Sequence, residues 1–377
     1  MSYFQDTPVV ILPQHQKVMQ PLAKDDDALL LEIGDEPVIY RTLKNLVIMG
    51  LRQILIPVTE QHDALRNYLQ KIHIPGLRIR VLETSKKRSE AELLNYTLKW
   101  VDAACFFVLT SEVLLNESLI EFFKIHKSQK NTLSIGVRQI AHDSRFESII
   151  QVQHPEQNCL KSTVENWQYY ACGIYLIEKS FFKEQADRIN ADTSIFDIAD
   201  EVMENSKARV VDLGAFCSDW RTLDDFLQAN FKWIEHLYGN CKSSYLDSGG
   251  ADAPLRVGEV FIHPDAKVSP KAVLIGPVII ARGCVIEEQA IVQRSVIRRN
   301  VRIKKGAFVK DSIVNTGTSL KKKGRYSGRL VLENEANFSI GHFRQTSKIL
   351  HDFTYFNSTS GSPTKTPQSQ KTFDVVA

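Results

Sequence analysis

The sequence predicts two domains of different fold class: an α/β domain with a mainly parallel sheet, followed by a parallel β-helix. Two observations predict this division. Over the first two-thirds of the chain, short apolar runs alternate with amphipathic helical patterns, the order expected for strands joined by crossover helices. From about residue 258, apolar residues instead recur every six positions. A chain of 377 residues is long enough for both domains.

The first strand and helix of the α/β domain are "PVVIL" and "VIYRTLKNLVIMGL". The second run is a predicted helix because its apolar residues recur at helical spacing before a stop at Gly50. These residues are Val38, Leu43, Leu46 and Val47. The following strands and helices are, in chain order, "QILIPV", "HDALRNYLQKI", "LRIRVL", "EAELLNYTLKWV" and "CFFVLT".

The run "CFFVLT" is apolar throughout, which is typical of a strand that helices cover on both faces. Alternation of such strands with helices predicts a largely parallel sheet with right-handed crossovers. Parallel sheets of this kind bind ligands at the carboxyl ends of their strands. The sequence therefore predicts a ligand site at that edge.

The six-residue period excludes an α-helix, whose apolar face recurs near 3.6 residues. It predicts triangular coils of a parallel β-helix, with one hexapeptide on each side and Lys, Arg and Glu at corners and outer faces. We expect a one-residue slip of the register after Arg299 and Asn300. The positions in register are Ala266, Ala272, Val278, Cys284, Ala290 and Val296, then Val268, Leu274, Ile280, Ile286 and Val292, and after the slip Val301, Ala307 and Ile313.

Charge and composition predict neither a nucleic-acid-binding nor a membrane protein. The net charge is only +3, and no apolar stretch reaches membrane-spanning length. The one dense basic run, "LKKKGRYSGR" at 320–329, favours a solvated loop over an RNA-binding segment. The six cysteines are single, without metal-ligand spacing, and no signal peptide is evident, so we expect a cytoplasmic protein.

The domain boundaries follow from shifts in composition. We predict the α/β domain at 1–238, a linker at 239–257 that is rich in Gly and Ser, and the β-helix at 258–345. Residues 346–377 are polar and rich in Ser, Thr and Pro, so we expect this tail to be disordered.

Four segments in order resemble the sugar-1-phosphate nucleotidyltransferases, also called nucleotide-sugar pyrophosphorylases. They are "IGDEPVIYRTLKNLVIMGLRQILIPV", "FFVLTSEVLLNESLIEFFKIHKSQKNTLSIGV", "YYACGIYLIEKSFF" and "CSDWRTLDDFLQAN". The hexapeptide repeat follows where that family has its left-handed β-helix. The resemblance implies a Rossmann-like (GT-A-type) nucleotidyltransferase domain. It also implies the family reaction, in which NTP and sugar-1-phosphate give NDP-sugar and pyrophosphate.

The family's phosphate loop is not matched. That loop has the pattern G-x-G-T-R after the first strand, whereas this chain has "LPQHQKVMQPL". The side chains of Gln14–Gln16 obstruct the close approach of backbone to phosphate that glycine permits. Lys17 is the candidate phosphate-binding charge there, and the alternative is a surface loop residue.

The family's catalytic lysine is also not matched. Alignment of "LLLEI" with the family's "pllpi" places Asp27 and Ala28 at its Pro and Lys. Loss of a contact that stabilises transition-state charge typically costs on the order of 10²–10³ in rate. The acidic run Asp25–Asp27 would repel a triphosphate. The sequence therefore assigns no catalytic residue.

The resemblance implies a Mg²⁺ site, with Glu112 in "LTSEV" and Asp219 in "CSDW" as carboxylate ligands. The alternative interpretation is a helix N-terminal acid and a turn residue. The family's sugar contacts correspond only loosely, to Lys161, Glu165 and Gly173.

Near the nucleobase, Ser89 and Glu90 replace the glycine and threonine of the family's "lGTagaL" pattern. The carboxylate of Glu90 could accept hydrogen bonds from N1 and N2 of guanine. The alternative is that both residues belong to the exposed start of a helix.

Three hypotheses about function remain open. The first is a nucleotidyltransferase-like protein with weakened or lost turnover, which senses a nucleotide or nucleotide-sugar ligand as a regulatory subunit. It would form a homo-oligomer, or a hetero-oligomer with an active paralogue. The second is an active Mg²⁺-dependent sugar-1-phosphate nucleotidyltransferase. The third is a hexapeptide acyltransferase with His263 as its base.

Overall fold

The structure is a computed structural model that describes most of both predicted domains. The residues that it describes are 4–13, 22, 27–84, 88–110, 113–115, 119–140, 149–151, 168–190, 193–195, 198, 208–213, 217–218, 222–239, 246–247, 253–333 and 337–340.

Twelve strands are described in the first two-thirds of the chain, and most of them form one sheet. They are β1 (Val9–Leu12), β2 (Glu32–Ile33), β3 (Glu36–Pro37), β4 (Gln53–Val58), β5 (Arg78–Glu83), β6 (Cys105–Thr110), β7 (Leu114–Leu115), β8 (Leu133–Ile140), β9 (Ile149–Gln151), β10 (Gln168–Glu178), β11 (Ala208–Asp212) and β12 (Cys217–Ser218). The main sheet has the order β11-β8-β10-β6-β1-β4-β5, and β9 pairs with β10.

The main sheet is largely parallel, as predicted. β1 lies between β4 and β6 and is parallel to both, and the β4–β5 and β8–β11 pairs are also parallel. The exception is β10, which runs antiparallel to both of its long neighbours, β6 and β8. The predicted strands and helices of this domain all occur in the structure.

Helices cover both faces of the sheet. They are α1 (Val38–Ile48), α2 (Asp63–Lys71), α3 (Glu90–Thr97), α4 (Ile120–Ser128), α5 (Lys179–Glu184) and α6 (Leu223–Gly239). The apolar side chains of α1, α2, α4 and α6 join one core cluster, and those of α3 and α5 join the cluster on the other face. This arrangement explains why β6 is buried along its whole length.

The C-terminal region is rich in short strands, which pair in parallel except for one antiparallel pair at each of its two ends. They are β13 (Leu246–Asp247), β14 (Leu255–Val257), β15 (Val260–Ile262), β16 (Lys267–Val268), β17 (Val273–Ile280), β18 (Val285–Ile286), β19 (Ile291–Ile297), β20 (Arg302–Ile303), β21 (Phe308–Lys310), β22 (Ile313–Val314), β23 (Ser319–Leu320), β24 (Arg325–Ser327), β25 (Arg329–Val331) and β26 (Asn337–Ser339). The antiparallel pairs are β13–β14 and β25–β26. Val273 pairs with Ile291, and Ile291 pairs with Phe308. Each parallel strand thus pairs with the equivalent strand of the next repeat, which is compatible with stacked β-helix coils.

The predicted position of the register slip is wrong. Ile275 pairs with Gln293 but Val278 pairs with Ser295, so the missing residue lies beside Arg294 and not after Asn300. Arg294 adopts a φ of +44°. This single residue makes the corner for which the preceding repeat uses two residues. Positive φ then recurs at equivalent corners of successive coils. These corners are Gly283, Asn300 and Gly317; Gln289, Gly306 and Lys323; and Arg294, Asp311 and Gly328.

The basic run at 320–329 contains strands that continue the parallel ladders, so it is not the predicted loop. Leu320 pairs with Ile303, and Tyr326 pairs with Val309, so the ladders continue through this segment. Leu320 is buried, while the three lysines that follow it lie exposed at a corner. The recurrence of apolar residues every six positions is not evident in this segment, because most of its residues are polar.

The two regions of the chain share a packed interface. Helix α6 lies on the strand-rich region, where the rings of Trp233 and Phe261 meet edge to face with centroids 5.1 Å apart. The Tyr238 hydroxyl donates a hydrogen bond to the carbonyl of Val260 at 2.7 Å. Ile279 and Ile313 belong to the same core cluster as α6, so apolar burial also joins the two regions.

Three of the six cysteines, Cys105, Cys172 and Cys284, are buried and reduced. Burial raises the pKa of the Cys284 thiol to about 11, although backbone hydrogen bonds oppose this effect. Cys284 therefore stays a neutral apolar group at physiological pH. Within the part of the chain that the structure describes, no helix has the length and apolar character needed to cross a membrane.

A buried histidine gives the α/β domain a pH-dependent stability. The side chain of His126 is fully buried in α4, with Nδ1 2.8 Å from the Ser134 hydroxyl and Nε2 3.3 Å from a Glu178 carboxylate oxygen. Burial lowers the pKa of His126 to about 4, and the contact with Glu178 offsets only part of this effect. The folded protein therefore binds this proton more weakly than the unfolded chain, whose histidine pKa is about 6.5.

Because the folded-state pKa lies below the unfolded one, this stability is present at pH 7 and is lost as the pH falls from about 6.5 through 4. Between pH 7 and pH 4, we expect the free energy of unfolding to fall by about 3 kcal/mol more in the wild-type protein than in His126→Gln. Urea denaturation at the two pH values measures this difference. The exposed His73→Gln variant is the control. Equal pH dependence in wild type and His126→Gln would contradict the assignment.

Candidate functional site

The carboxyl ends of β4, β1 and β6 meet at one edge of the main sheet. Leu12, the last residue of β1, pairs with Thr110, the last residue of β6. On the other side of β1, strand β4 ends at Val58 and is followed by Thr59. Parallel sheets bind ligands at this edge, so these strand ends define the candidate site.

Ala28 occupies a buried position beside this edge. It begins a short 3₁₀ helix, Ala28–Leu30, and is only 5% exposed. Asp27 caps this helix, because its carboxylate accepts a hydrogen bond from the Leu29 amide at 3.0 Å. A methyl group therefore stands where the resemblance places the family's lysine, and a buried carboxylate stands where it places the family's proline.

The carboxylate of Asp27 faces His62, which follows β4. The distance from Asp27 Oδ2 to His62 Nε2 is 3.7 Å, and both side chains are almost fully buried. His62 Nδ1 lies 3.0 Å from the Thr59 amide, which donates to it, so the proton of the neutral ring is assigned to Nε2. The pair places a carboxylate and an imidazole next to each other close to where β4 ends.

Gly173 brings the backbone of β10 against the end of β6. Its φ is +71°, and a Cβ at this position would overlap the Thr110 hydroxyl and lie 3.1 Å from Val113 Cγ2. A register shift in the β10–β8 ladder spans the same position. Gly173 therefore lies at the candidate site, as predicted by position, while its role in sugar binding stays a prediction.

Ser89 and Glu90 make the contacts of a helix start. Ser89 accepts a hydrogen bond from the Glu92 amide at 3.2 Å, and Glu92 accepts one from the Ser89 amide at 3.0 Å, which is a capping box. The Ser89 hydroxyl donates to the carbonyl of Asn190, and Glu90 accepts from the amide of Ile195. These contacts fit the interpretation that both residues belong to the start of a helix. A role in nucleotide binding stays a prediction.

Five predicted site residues lie outside the described residues, as do Gln14–Gln16, Asp25 and Asp26. The five are Lys17, Glu112, Lys161, Glu165 and Asp219. The described neighbours of the two predicted metal ligands do meet. β7 and β12 form an antiparallel pair in which Leu114 lies opposite Ser218. Among the residues that the structure describes, no three His, Cys, Asp or Glu side chains are grouped closely enough to hold a metal ion.

Two adjacent arginines of the C-terminal region contact the chain at and beyond the C-terminal end of the phosphate-loop segment. Arg298 Nη1 donates to the carbonyl of Leu22 at 3.0 Å and to the side chain of Asn315. Arg299 forms an ion pair with Glu32. Arg298 is only 6% exposed, so the expectation that arginines of the repeat lie at corners and outer faces is wrong for this residue. The sequence contains no local signal for a contact between residues 22 and 298.

Comparison with known proteins decides the family. A family model described as "Nucleotidyl transferase" matches residues 17–235, which is more than half of the chain. The chain belongs to the nucleotidyl transferase family. A second model, "GMPPB C-terminal domain", matches residues 256–354 of this nucleotidyl transferase.

Curated relatives match most of this nucleotidyl transferase at low identity. "Probable mannose-1-phosphate guanylyltransferase 3" of Oryza sativa is 24% identical and covers 85% of this chain and 88% of the relative. "Mannose-1-phosphate guanylyltransferase 1" of Arabidopsis thaliana is 24% identical, with 85% and 89% covered. "Mannose-1-phosphate guanylyltransferase catalytic subunit beta" of Drosophila melanogaster is 25% identical, with 66% and 67% covered.

Proposed function

We propose that this protein resembles GDP-mannose pyrophosphorylases in what it binds but has weakened or lost turnover, and acts as a ligand-sensing or regulatory subunit. The observation that carries the proposal is the burial of Ala28, which the alignment places at the family's lysine, next to the buried carboxylate of Asp27. A methyl group cannot donate to a reacting phosphate, and the Asp27 carboxylate opposes the approach of one. The strand ends, with Gly173 against the end of β6, lie at the edge where parallel sheets bind ligands, which supports a ligand site there.

The ligand that we propose is guanosine nucleotide or GDP-mannose. The names of the plant, fungal and insect relatives support guanine and mannose, and the contact of β7 with β12 supports convergence of Glu112 and Asp219. Carboxylate oxygens are ligands that Mg²⁺ prefers, so Glu112 and Asp219 would hold the ion, which would supply positive charge to the phosphates of a bound nucleotide.

Calorimetry and a pyrophosphate-release assay test the proposal together. We expect GDP-mannose with Mg²⁺ to bind one site per chain, and pyrophosphate release from GTP and mannose-1-phosphate to stay far below about 1 s⁻¹. Glu112→Ala and Asp219→Ala should both weaken binding. Turnover at about 1 s⁻¹ or faster would contradict the loss of activity. Absence of binding by GTP and GDP-mannose would contradict the sensing role.

The second candidate function is an active Mg²⁺-dependent nucleotidyltransferase, which the names of the relatives favour. Phosphoryl chemistry of this kind needs mainly positioning and charge neutralisation, which other residues can supply. In that case Glu112→Ala and Asp219→Ala abolish a measurable turnover. The acyltransferase hypothesis has weaker support, because His263 Nδ1 accepts a hydrogen bond from the Asp265 amide at 3.1 Å within its own turn.

We further propose a cytoplasmic oligomer with a left-handed β-helix. Corners of positive φ that recur from one coil to the next support triangular coils, because three sets of such corners occur. One relative is named a catalytic subunit, which supports assembly with an active paralogue. Mass photometry of the purified chain, alone and with such a paralogue, tests the assembly.

A further inference from the structure

A cleft on the face of the sheet covered by α3 and α5 has no role in the proposed function. It lies between α3 and the segment 179–189 and has a volume of about 550 Å³. This volume falls within the range of small-molecule sites. The cleft runs along the outside of the two helices, whereas the candidate site lies at the strand ends.

Four cationic side chains line this cleft: Arg88, Lys99, Lys179 and Lys183. Lys179 and Lys183 are one turn apart on α5, while Arg88 precedes α3 and Lys99 follows it. The one acidic residue of the lining, Glu92, is engaged by the Ser89 amide in the capping box. The cleft thus holds an excess of three positive charges, as many as the net charge of the whole chain.

None of the four cations has an ion-pair partner among the residues that the structure describes. Arg88 donates to the Thr84 hydroxyl at 3.1 Å, and Lys179 donates to the carbonyl of Val101. Lys99 and Lys183 have no hydrogen bond to the described part of the chain. Like charges gathered in a concave site repel one another and concentrate the positive potential there, so an anion would relieve a real electrostatic cost.

The side chain of Tyr96 fixes the rim of the cleft. Its hydroxyl donates to the carbonyl of Glu83 at 2.9 Å, and its ring packs edge to face on Trp100. The Arg88 guanidinium lies 5.1 Å and the Lys99 ammonium 5.7 Å from the ring centroid. Cation–π contacts of this kind hold both charges near the ring without neutralising them.

We propose that this cleft binds a small anion that carries two or more phosphate groups. Arginine and lysine together supply the forked and point-like donors that phosphate groups accept from. The cations converge on one cavity and do not spread along a surface, which favours a small polyphosphate over a nucleic acid backbone. The inference does not depend on the proposed function, because none of the four cations that line the cleft belongs to the strand-end site.

Calorimetric titration with inorganic tripolyphosphate at about 0.15 M salt tests the proposal. We expect one molecule to bind per chain, and Lys99→Gln/Lys183→Gln to weaken binding about tenfold or more. Neither side chain has a described hydrogen bond to lose, so this double variant should keep its melting temperature. The matched control is Lys71→Gln/Lys232→Gln, two exposed lysines on the opposite face of the sheet, which should bind as wild type does.

Hydrogen exchange locates the bound anion. Tripolyphosphate should slow exchange of amides in 88–99 and 179–189 in the wild-type protein but not in the double variant. No binding at about 1 mM tripolyphosphate, the weak end of specific affinities, would overturn the proposal. Equal affinity in wild type and Lys99→Gln/Lys183→Gln would also overturn it, since the anion would then lie elsewhere. Tighter binding of a short single-stranded RNA, lost in the same variant, would replace it with a nucleic-acid site.

Discussion

Replacement of Gly173 with alanine should lower the free energy of unfolding by about 3 kcal/mol. An alanine with φ near +71° costs about 1 kcal/mol, and overlap of its Cβ with Thr110 adds about 1–3 kcal/mol. Relief of this overlap would separate β10 from the end of β6, so ligand binding at the strand ends should also weaken. Urea denaturation measures the first effect, and calorimetry with GDP-mannose measures the second.

The matched control is Gly317→Ala in the strand-rich region. Gly317 has nearly the same φ, +76°, but a Cβ there would have no neighbour within 4 Å. Gly317→Ala should therefore lower the free energy of unfolding by only about 1 kcal/mol, the cost of alanine at positive φ. The difference in free energy of unfolding between the two variants measures the cost of the close approach of β10 to the end of β6. Equal destabilisation by Gly173→Ala and Gly317→Ala would show that Thr110 imposes no constraint at this site.

Replacement of Arg298 with alanine should lower the free energy of unfolding by about 2–4 kcal/mol. The change removes a buried side chain and leaves the buried carbonyl of Leu22 without the guanidinium that donates to it. Leu22 is the last residue of the phosphate-loop segment, so we also expect weaker binding of GDP-mannose. Urea denaturation and calorimetry measure the two effects.

Two variants separate the buried contact from a general loss of charge. Arg282→Ala removes an arginine of the same region that is 64% exposed and pairs with exposed Asp265, so it should cost less than about 1 kcal/mol. Arg298→Lys keeps the charge and should restore part of the stability and of the affinity. If Arg298→Ala is no more destabilising than Arg282→Ala, the contact with Leu22 does not hold the two regions together.

The regular elements could be predicted because their signals are local. The helical spacing in "VIYRTLKNLVIMGL" predicted α1, and the apolar run "CFFVLT" predicted β6. The period of six predicted coils of three hexapeptides, and strands about one such coil apart do pair with each other. The position of the slip could not be predicted, because it depends on the φ of Arg294, and arginine is an uncommon residue at positive φ.

The contacts around the candidate site could not be predicted from the sequence. Ala28 is buried, and its assignment to the position of the family's lysine stays a prediction. The Asp27–His62 pair and the contact of Arg298 with Leu22 each join residues that are distant in the chain. Such pairs arise only when the chain folds, so no spacing in the sequence indicates them. The same holds for the basic cleft, whose lysines come from α5 and from the end of α3.

The central claim is that this chain keeps the fold and ligand site of its family without its ordinary turnover. Its most direct test is the rate of pyrophosphate release with saturating GTP, mannose-1-phosphate and Mg²⁺. Loss of the lysine contact predicts a rate of roughly 10⁻² s⁻¹ or less, because such a loss costs on the order of 10²–10³ of an ordinary rate. A rate of about 1 s⁻¹ or more that disappears in Asp219→Ala would contradict the claim and establish an active enzyme.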